Sequence, residues 1–435
     1  MTARQSINGY ESRLREYTNF AVRGIKKVCK ECGPRPPCSP QEKKAQEMMK
    51  KELETCCDDV RMEPFRTAPR AFMGWVRLSM AAGFLSALAY NLGYALVGAA
   101  LLALMVLIML LEFGMYKQAL DVFMPKKESQ NLVGVRKPAG EVKRRIILGG
   151  HADSANEWWY TYLGYKWFKK PVLMLPVIGA ALISMLFSLG VYIAAAVAGK
   201  GLVGIGGLAQ YSSAQATLGY VCAGLCLLLV PCWFFELTKL PVEGANDNLS
   251  GCFTAMAVAK LMGDNSIRLE NTELVVLCAG CEEAGLRGAK AFSKAHAAEY
   301  GDVETAFIAL DTMTDMEFIK VMCRDLNGTV KHDPAVCAML KAGAKTAGHD
   351  IPYGSVFFGS SDATAATQAG MRACLLSAMD EAPADYYHTR LDTTDRLQPK
   401  TVEACLDILM ETVYQFDETG LAPFEGAQVK VEKEK

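Results

Sequence analysis

Hydrophobic residues are arranged along this chain in two ways. Over most of its length, short apolar runs alternate with polar or amphipathic segments. In two places they fuse into long blocks. From Leu78 to Leu111 no charged residue occurs, and Arg77 and Glu112 close the stretch. One bilayer crossing takes about 20 apolar residues, so this block predicts two spans, divided by the turn Tyr90-Asn91-Leu92-Gly93-Tyr94. The second block starts after Lys169-Lys170 and ends at Glu236. It predicts a span at Pro171–Ala198, a glycine- and serine-bearing loop around Lys200–Gln215, and a span at Thr217–Phe235. Buried core helices are the alternative, and these lengths fit them poorly.

Outside the two blocks the pattern is α/β. Gln41–Glu54 predicts an amphipathic helix after the turn-rich CGPRPPCSP. Asn131–Arg136 predicts an edge strand, and Arg145–Gly149 a short strand leading to His151. A helix is expected over Asn248–Met262, strands over Leu274–Ala279, Phe307–Leu310 and Ala373–Ala378, and a closing helix over Thr401–Phe416. Alternation of this kind predicts a mostly parallel (mixed) sheet sandwiched by helices, with two inserted transmembrane helical hairpins making four spans. The boundaries are 1–70, 117–168 and 238–426 for the α/β domain, 71–116 and 169–237 for the hairpins, and 427–435 for a charged tail.

Composition agrees with a membrane anchor, since 51% of residues are hydrophobic and the excess lies in the two blocks. Two hairpins leave the remaining chain on one side. Arg66, Arg70, Arg77, Lys117, Lys126, Lys127, Lys166, Lys169, Lys170 and Lys239 flank the spans on that side, against Lys200 alone in the far turns. The positive-inside rule then predicts a multi-pass protein with a cytoplasmic domain. Residues 1–65 are highly charged and hold no signal-peptide core. A net charge of −1 gives no electrostatic case for nucleic acid as a partner. The 15 cysteines follow no disulfide framework. Cys29/Cys32 and Cys278/Cys281 each form a C-x-x-C without a second pair at zinc-site spacing, so reduced and mostly buried thiols are expected. His296, His332 and His349 lie in polar surroundings and are expected to be exposed.

The chemistry-bearing residues recur at or near strand ends. His151, Asp247, Glu283, Asp311 and His388 stand in the strings HADS, GANDN, CEEAG, ALDT and YYHT. Two imidazoles and three carboxylates suit a pair of Zn²⁺ ions sharing one carboxylate, with cobalt or manganese as alternatives. Two ions so placed can polarise a substrate carbonyl and hold an attacking water, which still needs a base. Glu282 adjoins a candidate ligand without being required as one, and fits that role. Each motif alone has a plain reading, as a loop histidine, a solvated acid pair or a helix cap; their joint order points to a metal site.

At the level of these strings the chain resembles the co-catalytic two-zinc aminopeptidase family, which includes bacterial leucyl aminopeptidases, aminopeptidase Y and glutamate carboxypeptidase-type enzymes. The strings are GPRPPCS at Gly33–Ser39, HADS at His151–Ser154, GANDNLSG at Gly244–Gly251, EEAGLRGA at Glu282–Ala289, LDT at Leu310–Thr312, GSSDATAATQAG at Gly359–Gly370 and YHTRLDTTDRL at Tyr387–Leu397. The resemblance implies a zinc-aminopeptidase-type fold acting on peptide or protein N-termini. It implies that Asp247 bridges two ions, with His151 and Asp311 completing one and Glu283 and His388 the other, and Glu282 as general base. Asp153 would orient His151 from behind. Tyr387 would donate a hydrogen bond to the oxyanion, or else serve as a structural tyrosine.

Two departures stand out. A transmembrane hairpin occupies the place of a short loop between HADS and GANDN, and the SSDATAATQAG string lacks the histidine and aromatic residue often found in the family's version. Trp158, Trp159, Tyr160, Tyr162, Tyr165, Trp167 and Phe168 follow the first motif, and Trp233, Phe234 and Phe235 precede the next. Such aromatics settle at headgroup depth, which suggests either an active site opening toward the lipid bilayer or simple anchoring. The competing functions are a glutaminyl-cyclase-like acyltransferase, which typically works with one zinc, and a non-catalytic receptor or scaffold. A transporter is disfavoured by spans without central charges.

Overall fold

The computed structural model describes residues 2–159, 161–163, 190, 213–227, 230–380 and 384–432. The expected span Pro171–Ala198 and the loop that follows it lie, but for Gly190 and residues 213–215, outside the described residues, as do Tyr160, Tyr165, Lys166, Trp167, Phe168, Lys169, Lys170 and Lys200. The chain divides into two compact units, one of Met1–Pro69, Lys126–Glu157 and Lys239–Lys435, the other of Arg70–Pro125 and Trp158–Thr238.

In the first unit the strands are β1 (Asp59–Thr67), β2 (Lys127–Arg136), β3 (Arg144–His151), β6 (Thr272–Ala279), β7 (Glu304–Met313), β8 (Ile319–Asp325), β9 (Val330–Lys331), β10 (Tyr353–Ser355) and β11 (Arg372–Ala378); β4 (Asn156–Trp158) and β5 (Glu236–Pro241) pair separately. The main sheet runs β1-β2-β6-β3-β7-β11-β8-β10, with β9 on β8. Its centre, β6-β3-β7-β11, is parallel, whereas β1, β2 and β8 pair antiparallel with their inner neighbours. The sheet is therefore mixed rather than mostly parallel.

The central strands are apolar on both sides. Ile146 and Leu148 of β3 enter one core, together with Leu274, Val276, Ile308 and Leu310. Ile147 enters the opposite core with Val275, Leu277 and Phe307. This is the signature of parallel strands covered on both faces. Helix Ser250–Asp264 is buried over nearly its whole length against the first face. Helix Tyr10–Cys32 presents Tyr10, Leu14, Tyr17, Ala21, Ile25 and Val28 inward at helical spacing. Helix Pro40–Leu53 starts where Ser39 Oγ accepts the Glu42 amide and Pro40 takes the first turn.

Three expectations change. Asn131–Arg136 is the inner part of a longer strand and is not at an edge, because β1 pairs outside it from Asp59↔Val135 to Thr67↔Lys127. The helix expected from Asn248 begins at Ser250, since Asp247 and Asn248 hold non-helical torsions. His332 is 5% exposed, not solvated, with its ring nitrogens 2.9 Å from Thr367 Oγ1 and 3.3 Å from Asp325 Oδ2.

In the second unit, helix Ala71–Asn91 turns at Gly93 into helix Ala95–Met109, which continues as a π-turn to Gly114. Ser86 Oγ donates to the Gly98 carbonyl at 2.7 Å and Ser79 Oγ to Met105 at 3.4 Å, as in an antiparallel hairpin packed through small residues. Ala71–Asn91 and Leu96–Gly114 are long and apolar enough to cross a membrane, with mean hydropathies of 1.4 and 2.6. Leu78, Leu85, Leu88, Leu104 and Leu107 point outward. Arg77 lies inside the first helix and is exposed, because the helix starts earlier than the uncharged block. Within Thr217–Phe235, the described residues form a helix from Ser213 to Cys226 and a 3₁₀ turn at Pro231–Phe234.

One ion cluster in the first unit carries a pH signature. His296 Nε2 lies 3.0 Å from Glu63 and Nδ1 lies 3.1 Å from Glu299. The Glu63 carboxylate holds the imidazole above its ordinary value against the opposing effect of burial. A raised imidazole stabilises the fold fully below the unfolded pKa of about 6.5, and the contribution is lost as pH rises through the folded value. His296→Ala should therefore cost more stability at about pH 6 than at about pH 9 in paired urea unfolding curves. An equal cost at both would remove this ion pair from the account.

Candidate metal centre

Parallel strands put their carboxyl ends on one edge of the sheet, and the loops leaving that edge carry most of the chemistry. His151 is the last residue of β3, Glu282 and Glu283 follow β6, and Asp311 lies near the end of β7. Asp247 stands in the turn before helix Ser250–Asp264, and His388 in the loop after β11. Cys281, Thr312 and His388 hold left-handed φ values of 55°, 54° and 52°, a conformation that costs non-glycine residues roughly 1–3 kcal/mol and clusters at functional sites.

The five candidate ligands come together. His151 Nε2 lies 3.2 Å from Asp247 Oδ1, and His388 Nε2 lies 3.2 Å from Asp247 Oδ2 and 3.1 Å from Glu283 Oε2. His151, Asp247 and Asp311 form one group, and Asp247, Glu283 and His388 a second, each with ligand atoms within 4.8 Å of one another. Asp247 is common to both. His151, Glu282 and Glu283 form a third such group, with Glu282 Oε2 3.7 Å from His151 Nε2. Tyr387 is half-buried, and its ring stacks on the His388 imidazole at 4.0 Å between centroids.

The electrostatics are those of too many acids in one dry place. Burial pushes Glu282 up, with His151 only partly opposing it. Burial, then the charges of Asp247 and Glu282, push Glu283 up. Burial and Asp247 raise Asp311 to about 7. Burial alone would lower His151, but Glu282, Asp153 and Asp247 hold it well above its ordinary range. Burial would raise Asp247, yet hydrogen bonds with His151 and His388 carry it downward. Buried anions of this density call for a cation. Glu283 Oε1 is buried without a hydrogen-bond donor, and a donor set of imidazole nitrogens and carboxylate oxygens is the one zinc takes. These residues fit a zinc-type divalent metal.

What holds the loops is a set of buried polar side chains. Asp153, fully buried, accepts the amides of both Glu282 and Glu283 at 3.0 Å, and its Oδ1 lies 3.5 Å from His151 Nδ1. Arg35, also fully buried, donates to the carbonyls of Gly33, Ala152, Glu243 and Gly244. It thereby joins the stretch after His151 to the stretch before Asp247. Asn248 donates to the Leu310 carbonyl and accepts from the Thr312 amide, clasping both sides of Asp311. Asp392 accepts the amides of Asn246 and Asp247, so the His388 loop carries the Asp247 turn. Glu157 takes the Arg390 guanidinium through two hydrogen bonds of 2.7 and 2.6 Å and accepts its amide at 3.1 Å. Asp362 is buried with both oxygens unpartnered and, chiefly through burial, is raised to about 7.

Sequence reasoning singled out Asp153 only for His151, and gave Arg35, Asn248, Asp362 and Asp392 no role. All four lie inside the strings GPRPPCS, GANDNLSG, GSSDATAATQAG and YHTRLDTTDRL; Arg35, Asn248 and Asp392 bond to backbone far away in the chain, and Asp362 is buried by the fold, neither of which a local pattern displays. Arg35→Ala should leave several buried carbonyls without a donor and destabilise the fold by on the order of 3 kcal/mol. Urea unfolding of the full chain in detergent reads the change, and an unmoved midpoint would refute the clamp.

Comparison with known proteins follows the same lines. Residues 233–413 match the family model described as Peptidase family M28. That stretch holds Asp247, Glu282, Glu283, Asp311 and His388 but not His151. No curated protein matches the chain by sequence. Among solved structures, the aminopeptidase from Aneurinibacillus sp. strain AM-1 is similar at 15% identity and a TM-score of 0.54, covering 93% of this chain and 95% of that one. The glutaminyl cyclase of Fimbriiglobus ruber is similar at 14% and 0.53, over 91% and 94%. The zinc aminopeptidase of Bacillus subtilis is similar at 13% and 0.53, over 92% and 95%. These likenesses establish the fold as the zinc-aminopeptidase type, and the M28 segment laid on that fold makes the chain a zinc metallopeptidase.

Proposed function

We propose that the chain is a membrane-integrated aminopeptidase that uses two zinc ions, or other divalent metals such as cobalt or manganese, to remove residues from peptide or protein N-termini. In this reading Asp247 is shared, His151 and Asp311 serve one ion, and Glu283 and His388 the other. The observation that carries it is that two of the three donor groups, His151–Asp247–Asp311 and Asp247–Glu283–His388, have Asp247 in common. A one-metal glutaminyl-cyclase-type site would have no use for the second group. When bound, the metal pair supplies Lewis-acid polarisation of the scissile carbonyl and activation of water.

The protein's own part follows from the residues around it. Glu282 takes the proton of the attacking water and returns it to the leaving amine; a buried carboxyl with a raised pKa suits a group that does both. Asp153 holds the backbone amides of Glu282 and Glu283, which keeps the base and its neighbour in register with His151. Tyr387, stacked on His388, offers its hydroxyl to the developing oxyanion. The membrane part of the reading is a multi-pass anchor of two hairpins, at 71–116 and 169–237. The lysine and arginine flanks favour a cytoplasmic catalytic domain.

Detergent-purified protein should shorten free peptides stepwise from the N-terminus and leave N-acetylated ones intact. Glu282→Gln should lower kcat by about 10²–10⁴-fold with metal content unchanged, and a chelator should abolish activity. Cleavage of acetylated peptides, or full activity in the variant, would sink the assignment. Alkaline carbonate washing of membranes should leave the chain in the pellet; release into the supernatant would overturn the membrane reading.

A further inference from the structure

Cys281 immediately precedes Glu282 in the loop after β6, and its thiol meets one from a distant part of the chain. Its Sγ lies 3.1 Å from Sγ of Cys38, in the turn between helices Tyr10–Cys32 and Pro40–Leu53. Both cysteines hold left-handed backbone torsions, with φ of 59° at Cys38 and 55° at Cys281. One carboxylate fixes the two backbones together. Glu42, 2% exposed, accepts the Cys38 amide on Oε2 at 2.9 Å and the Cys281 amide on Oε1 at 2.7 Å, with Ser129 Oγ steadying Oε2. The pair is thus held in register by groups other than the thiols themselves. Cys38 is partly exposed, while Cys281 is buried.

We propose that Cys38 and Cys281 form a reversible disulfide that acts as a redox modification site on the loop bearing the catalytic base. The effect on catalysis rests on the peptidase reading of Glu282; the bond itself does not. The oxidant is a small-molecule disulfide. The Cys38 thiolate attacks one of its sulfurs and expels one thiol. Cys281, losing its proton, then attacks the Cys38 sulfur of the mixed disulfide and expels the second. Two protein thiols are oxidised and one disulfide is reduced to two thiols, so atoms and electrons balance. The hydrogen bond with Cys281 favours the thiolate at Cys38 over the opposing effect of burial, which suits Cys38 as the attacking group.

Bonding requires the sulfurs to close to about 2.05 Å, a movement of about 1 Å. Glu42, the Asp153 carboxylate and the Arg287 amide hold the segment from both sides. Cys281 adjoins Glu282 in this tethered segment, so closing the gap pulls on the base through its bonds, and a 1 Å error in a catalytic group can cost about 10²-fold in rate.

The test uses the full-length, metal-loaded protein in detergent, treated with oxidised glutathione and then alkylated and digested for mass spectrometry. The expected result is a Cys38–Cys281 cross-linked peptide appearing before any other pair. It should come with at least a tenfold fall in kcat at little-changed KM and full recovery in dithiothreitol. Cys38→Ser and Cys38→Ala should keep basal activity and resist the oxidant. Free, alkylatable Cys38 and Cys281 after oxidation, or a cross-link with kcat unchanged, would overturn the proposal. A preparation that cross-links but never cleaves peptides would count against the peptidase reading and for the modification site.

Discussion

Irregular backbone buried away from water must find partners for its amides and carbonyls, and the architecture of this site follows from that requirement. Loops bearing the proposed ligands make few ladder bonds among themselves. Their polar groups are met by Arg35, Asp153, Asn248 and Asp392, each of which reaches from one loop to another. Asp153 binds the two amides that follow β6, and Asp392 binds the two that form the Asp247 turn. Each interaction satisfies a buried donor and sets the distance between two metal-facing side chains. Positioning and stability are here one network, so a residue lost from it disturbs both.

The same network explains what could and could not be read along the chain. His151, Glu283 and Asp311 are conspicuous because each lies at or shortly after the end of an apolar run, where the change from Ile-Ile-Leu or Val-Val-Leu to polar side chains is abrupt. Arg35 looks like one more charge in a proline-rich turn, and Asp392 like one acid among several; apart from the Gly33 carbonyl, the partners that matter are carbonyls and amides more than a hundred residues away. β1 escaped notice because Asp59–Thr67 has polar residues on both faces and owes its shape to pairing with β2. His332 reads as a surface residue until Asp325 and Thr367 are brought to it by the fold. The sheet was expected to be mostly parallel because strand–helix alternation marks its centre, while the antiparallel pairing of β1, β2 and β8 at its margins is set by partners that no local pattern displays.

The charge pattern of the centre also separates a working site from a relic. Six acids and two imidazoles share a space from which water is largely excluded, and hydrogen bonds alone leave Glu283 Oε1 and both oxygens of Asp362 without donors. A fold that keeps such groups buried is less stable than one with leucine in their place. They make physical sense in a protein that binds cations.

Both apolar inserts leave the α/β unit through paired strands. Thr67 at the end of β1 faces Lys127 at the start of β2, and β4 pairs with β5 around the second excursion. The polypeptide therefore departs and returns at nearly the same point each time, and to the sheet a long insert is equivalent to a tight turn. Closing a longer loop costs only about 0.6 kcal/mol per doubling of its length. Such junctions act as grafting sockets: an insert can be lengthened, shortened or exchanged there while the register of every core strand stays as it was.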